Sequence, residues 1–310
     1  MNRNVSAQIS YDRLNKGVDI RNPSTAAFLV DSADRDADSS ASQFTITPPG
    51  QNLFTGFFTR FGLTEITLNW GICNLSPETG LISFSFRVNA VNYAVVIRRG
   101  YYNVQQALDA MVVAMNAAAG AGTFSIVDST LFAGCKALRS TALYYFINNT
   151  SVNQLPNALG FPTFGPGVTP VPALEFSCVN PNLSPYSYID FTSPQLAAQQ
   201  DVKDSSTAPS TPDSIYRWVF GDEVPNTYDT YGYPILQAYR PFVQRRYLSF
   251  PKQIRWDPLI PLGQIQFRVL DNSGEVLQYG YQNPFEVVNP GGTFYGQGFE
   301  FNMLMLVSEV

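Results

Sequence analysis

Four aspartates, Asp31, Asp34, Asp36 and Asp38, form the only dense acidic group in the chain. The run Asp34-x-Asp36-x-Asp38 imitates the start of a calcium-binding loop. The imitation stops there: the sixth position is Ser39, where such loops need glycine for the turn, and the twelfth is Thr45, where they need a bidentate glutamate. The stretch reads as a solvated loop with Arg35 available for a local salt bridge. Histidine is absent from the sequence, which removes the commonest general base and the Ser-His and Cys-His nucleophile pairs. A pair of carboxylates could still hydrolyse a glycoside. Cys73, Cys135 and Cys178 are widely spaced, with no CxxC pair among them. They read as buried or incidental thiols in a reducing compartment rather than zinc ligands. Neither GxGxxG nor GxxxxGK[ST] occurs, and Gly291, Gly292, Gly296 and Gly298 alternate with aromatics instead of opening a helix. These residues assign no catalytic, cofactor-binding or metal site; the expectation is no cofactor and no enzyme.

Composition points the same way. Charged residues make up 14% of the 310, against about 25% in ordinary soluble domains. Phe and Tyr number 23 and 17. Interfaces lose charge and gain aromatics, so this balance suits a chain largely covered by partners, although β-rich proteins favour aromatics anyway. The net charge is −5, and direct genome binding, which needs a basic face, is not expected. Arg98-Arg99 and Arg245-Arg246 are the local basic pairs. No apolar window is long enough to span a membrane, and Met1-Asn-Arg-Asn-Val-Ser6 shows no signal-peptide stretch.

The elements that would carry such a surface are mostly strands. Residues 1–24 are polar and aperiodic and read as an N-terminal arm, of the kind a neighbouring molecule orders. Ala26–Asp31 is expected as the first strand. Phe44 and Ile46 alternate with Thr45 and Thr47 before Pro48-Pro49 stops the second. Phe61–Leu75 carries Leu63, Ile66, Leu68 and Trp70 at an imperfect period, which predicts a bulge. Leu81–Val88 and Tyr93–Ile97 read as a hairpin. A helix over about 103–117 follows, with Asn103 and Gln106 spaced as a capping box and Val104, Leu108, Met111 and Met115 on one apolar face. Strands at Thr123–Val127 and Leu143–Ile147 and a turn at Leu155–Pro162 complete this block.

Strand texture returns at Ala173–Val179, Tyr186–Phe191, Ile215–Phe220, Arg246–Phe250, Gln264–Val269 and Glu300–Val307. Ser205–Pro212 reads as a surface loop. Eight or nine strands outside the block fit one eight-stranded jelly roll, mainly β, with an inserted α+β domain. The expected division is a discontinuous roll over 25–76 and 173–310, with the inserted domain over 77–172. Two aromatic loops, one holding Tyr228, Tyr231, Tyr233 and Tyr239 and the other Phe285, Phe294 and Tyr295, could pad the roll or supply anchors at contacts.

Three sets of residues carry a family likeness. Phe28-Leu-Val-Asp-Ser-Ala-Asp-Arg-Asp36, followed by Phe44-Thr-Ile-Thr-Pro-Pro49, resembles the opening of penton and minor capsid proteins from virophages, Polinton-like elements and related large DNA viruses. Arg99-Gly-Tyr-Tyr-Asn-Val-Gln-Gln-Ala-Leu108 and Ala158-Leu-Gly-Phe161 look like their inserted module. Trp256-Asp-Pro-Leu259, Phe267-Arg-Val-Leu-Asp-Asn-Ser-Gly274 and Glu300-Phe-Asn-Met-Leu-Met-Leu306 are similar to their closing strands. The resemblance implies a virion protein at the capsid vertex, assembled in the infected host cytoplasm. It also implies a homopentamer that contacts the major capsid protein, with the insertion facing outward and open to a host receptor or glycan. Two other readings compete with it: a viral attachment or carbohydrate-binding β protein, and a β-sandwich glycoside hydrolase built on two buried acids.

Overall fold

Leu63, Ile66, Leu68 and Trp70 are all buried on strand β3 (Phe58–Gly71), and the first sheet is built around that strand. In a computed structural model of the chain, which describes residues 25–35, 39–47, 58–77, 79–148, 155–165, 168–197, 214–220, 227–249, 253–255, 263–277 and 298–309, β3 pairs on one side with β15 (Gly298–Glu309). On its other side lie β12 (Phe242–Tyr247) and then β13 (Gln253–Arg255). β1 (Thr25–Asp31) pairs with the far side of β15. The expected arm, the Pro48-Pro49 stop, the Ser205–Pro212 loop, Trp256–Leu259 and Phe285, Phe294 and Tyr295 lie outside the described residues.

The break in the β3 period has a direct cause. Leu304 opposes Glu65 and Met305 opposes Leu63, so Thr64 is an extra residue with no partner of its own. Its hydroxyl donates to the Leu304 carbonyl at 3.0 Å, and its carbonyl accepts from Leu248 N at 2.9 Å. The bulge keeps Leu63 and Ile66 on the same face of the strand despite their odd separation.

A second sheet runs β11 (Ser214–Val219), β10 (Tyr188–Thr192), β14 (Ile265–Leu270), β2 (Gln43–Ile46). Counting β12 and β13 as one strand, the eight strands numbered along the chain lie in the order 1-8-3-6 in the first sheet and 5-4-7-2 in the second. That is the strand order of a single jelly roll. Between the sheets lies one core, in which Trp70 approaches Phe220 at 4.6 Å and Phe301 approaches Phe191 at 4.8 Å. Burying a large side chain here is worth about 1.5–3 kcal/mol relative to leaving it in water.

The insertion has a sheet and a core of its own. β4 (Ser83–Val88) and β5 (Val91–Val96) form the expected hairpin, and β6 (Phe124–Asp128) pairs with the long β7 (Lys136–Ile147). β8 (Thr163–Phe164) and β9 (Ala173–Ser177) also pair with β7. Helix α1 (Val104–Ala119) buries Val104, Leu108, Met111 and Met115 against this sheet. Its capping box is formed in both directions: Gln106 N donates to Asn103 Oδ1 at 2.8 Å, and Asn103 N donates to Gln106 Oε1 at 3.0 Å. Two single-turn helices, α2 (Leu155–Ala158) and α3 (Pro194–Ala197), are the other α-helices among the described residues.

Two expectations need correction. Ala173–Val179 was expected in the roll, but β9 pairs with β7, placing Leu138 opposite Phe176 in the second core. That core extends to Leu183. The strand expected at Arg246–Phe250 begins earlier, at Phe242, and its inward position 246 is an arginine lying 3.9 Å over the Trp218 ring. A charged residue on the inward face hides the apolar period.

Candidate interaction surfaces and polar clusters

The acidic stretch forms a turn rather than a ligand cage. Asp31 Oδ1 accepts from Ala33 N at 2.8 Å and caps the single 3-10 turn Ser32–Asp34. The Arg35 guanidinium donates to the Ser32 carbonyl at 2.6 Å and lies 3.6 Å from Glu300 of β15. Asp36 and Asp38 lie outside the described residues. No group of His, Cys, Asp or Glu capable of holding a metal occurs among the described residues. Asp190 is the one buried carboxylate there. Arg217 occupies it with two bonds of 2.8 and 2.7 Å while stacking 3.9 Å over Tyr188. A pair of buried acids facing one cleft is therefore missing from the described residues.

The arginine pairs do not form a basic patch at 245–246. Arg245 points outward and binds Glu65 at 2.6 Å, whereas Arg246 turns inward over Trp218. Burial pushes the Cys178 thiol up to about 12. Cys73 is likewise buried, and Cys135 is half-buried.

The outer face of the first sheet carries several exposed apolar side chains among polar ones such as Asn302, Thr67 and Asn69. Strand register places Leu29, Leu304, Glu65 and Tyr247 in one row and Ala27 beside Leu306 in the next. Val243 stands on the same face, opposite Asn69. Leu29, Val243 and Tyr247 are 62%, 70% and 68% exposed, and Leu306 is 44% exposed. The Glu65–Arg245 pair sits among them, with Arg245 4.8 Å over the Tyr247 ring. Single exposed apolar side chains are ordinary, and several gathered on one sheet face make that face a candidate contact surface. The outer face of the second sheet carries Tyr188, Asp190, Arg217 and Arg268 beside the exposed Val219; Arg217 pairs with Asp190, and the Arg268 guanidinium donates to Gln266 Oε1 at 3.0 Å.

The aromatic connection between β11 and β12 turns inward. Tyr233 and Tyr239 are 6% and 4% exposed and belong to the core of the insertion. Tyr231 packs against the same core, and Tyr228 remains open. From sequence, padding and contact are both open to these side chains. The signal that could have decided it is Asp229, an acid beside a loop aromatic that caps a helix far away in the sequence.

These features define a mainly β protein built on one jelly roll that carries an α+β insertion. No family model and no curated protein matches the chain. Among solved structures, the chain is similar to the mavirus penton protein, with a TM-score of 0.43 and 8% identity over 93% of this chain and 100% of that one. It is also similar to a chain of the Sputnik virophage cryo-EM structure, with a TM-score of 0.36 and 12% identity over 93% and 98%.

Proposed function

We propose that this chain is a structural capsid protein that closes the five-fold vertices of an icosahedral DNA-virus shell, as a ring of five copies seated among major capsid proteins with its insertion outward. The observation that carries the reading is the set of exposed apolar side chains, Leu29, Val243, Leu306 and Tyr247, on the outer face of the first sheet. A closed ring joins two different patches on each subunit, and this face supplies one of them. The motif likeness at the opening, middle and closing segments supports the same role. Engagement of Tyr231, Tyr233 and Tyr239 within the molecule weighs against a glycan site on that loop.

The test is native mass spectrometry of the purified protein beside cryo-electron microscopy of particles assembled with and without it. A pentamer, and density at the five-fold positions that disappears when the chain is omitted, is the expected result. A trimer, or unchanged five-fold density, overturns the vertex role. Substituting Val243→Lys together with Leu306→Lys should leave the fold intact and give monomers. Pentamers that persist in the double variant would remove this face from the interface.

A further inference from the structure

Residues 227–240 belong by sequence to the roll, since they join β11 to β12, yet their side chains complete the insertion. Helix α1 caps its Gln106 amide with its own Asn103. The preceding amide, Gln105 N, donates instead to Asp229 Oδ2 at 3.0 Å, from 124 residues away. Thr230 then donates from its backbone N and its hydroxyl to Gln105 Oε1, at 3.2 and 2.6 Å, and the Tyr231 hydroxyl donates to Asp109 Oδ1 at 2.9 Å. A carboxylate at this helix end also meets the positive pole of the helix dipole.

The segment is shaped for this contact before it reaches the helix. Asp229 Oδ1 accepts from Tyr231 N and Tyr233 N at 2.9 and 3.0 Å. Gly232 sits at φ +86°, a conformation open to glycine and strained for other residues. Further along, the Tyr233 hydroxyl accepts from Lys136 N at 2.8 Å and donates to the Cys178 carbonyl at 3.0 Å. The Tyr239 hydroxyl accepts from Leu183 N at 3.0 Å. Three backbone groups around β7 and β9 thus receive their partners from this one segment, and a buried amide left without one is costly.

We infer that residues 227–240 are a strap by which the roll holds the insertion in one fixed attachment, with Asp229 as its latch on the start of α1. Without it, Gln105 N at the start of α1, Lys136 N and Leu183 N lose the partners it supplies. Opening of the strap is therefore coupled to loosening of α1, Lys136 and Leu183, and it leaves the roll closed.

Hydrogen exchange on the full chain, comparing wild type with Asp229→Ala, tests this. Amides at the start of α1 and at Lys136 and Leu183 should exchange about five- to tenfold faster, the factor carried by a lost helix cap, while those of β1 and β15 keep their rates. Calorimetry of the variant should show the insertion melting before the roll. If Asp229→Ala does not fold, Tyr231→Phe, which removes only the Asp109 bond, should show the same pattern at smaller size. Unchanged exchange at α1, or an equal rise in β1 and β15, overturns the strap.

Discussion

Asn89 and Ala90 turn the β4–β5 hairpin with φ of 49° and 64°. Two successive left-handed residues match the twist of the strands, which is why hairpins use them. Ala90 is the costly member, because its Cβ crowds the following carbonyl in that region. Ala90→Gly should stabilise the protein by about 0.5–1 kcal/mol, after allowing for glycine's greater freedom in the unfolded chain, and urea unfolding will measure it. The hairpin itself was readable from alternation on either side. Its two-residue turn was not, because asparagine followed by alanine lacks the glycine that normally announces it. The thiols give a second prediction at this scale. With Cys73 and Cys178 buried and Cys178 held protonated by burial, a thiol reagent should titrate one cysteine, Cys135, in the native protein and all three in denaturant. Rapid labelling of three thiols without denaturant would contradict that burial.

At the scale of elements, β15 is flanked on both sides, by β1 and β3, and its Phe301 joins the two sheets. The ring lies 4.8 Å from Phe191 and 5.8 Å from Phe44, both on the opposite sheet. Phe301→Ala should cost about 3–5 kcal/mol, seen as a lowered denaturant midpoint with both sheets lost together. A loss under 1 kcal/mol would mean the core collapses around the gap. Among the elements, β1, β15 and α1 were legible from sequence, and so was β3 apart from its end, expected at Leu75 and found at Gly71. Those that were not had a physical reason. β12 presents Arg246 inward because Trp218 offers its ring as a partner. β9 alternates like any half-buried strand, and alternation cannot say which of two cores it faces. The candidate contact face was illegible for the same reason: Leu29, Val243, Leu306 and Tyr247 come together only through register across four strands.

For the molecule as a whole, an apolar contact face carries a distinct signature. Assembly through Leu29, Val243, Leu306 and Tyr247 should hold or tighten as salt is raised, whereas one resting on exposed charges would weaken through screening. Sedimentation across a salt series will separate the two. The Thr64 bulge, bonded to Leu304 across 240 residues of chain, bears on when that face comes to exist. The insertion draws most of its sheet from neighbours along the chain and can form while translation continues. The roll cannot close until β15 has left the ribosome, because β1 and β3 have no partner between them before that. A nascent chain therefore does not display the finished surface until β15 has emerged. Refolding should show the matching order, a fast phase from the locally connected insertion and a slow one from the long-range closure of the roll.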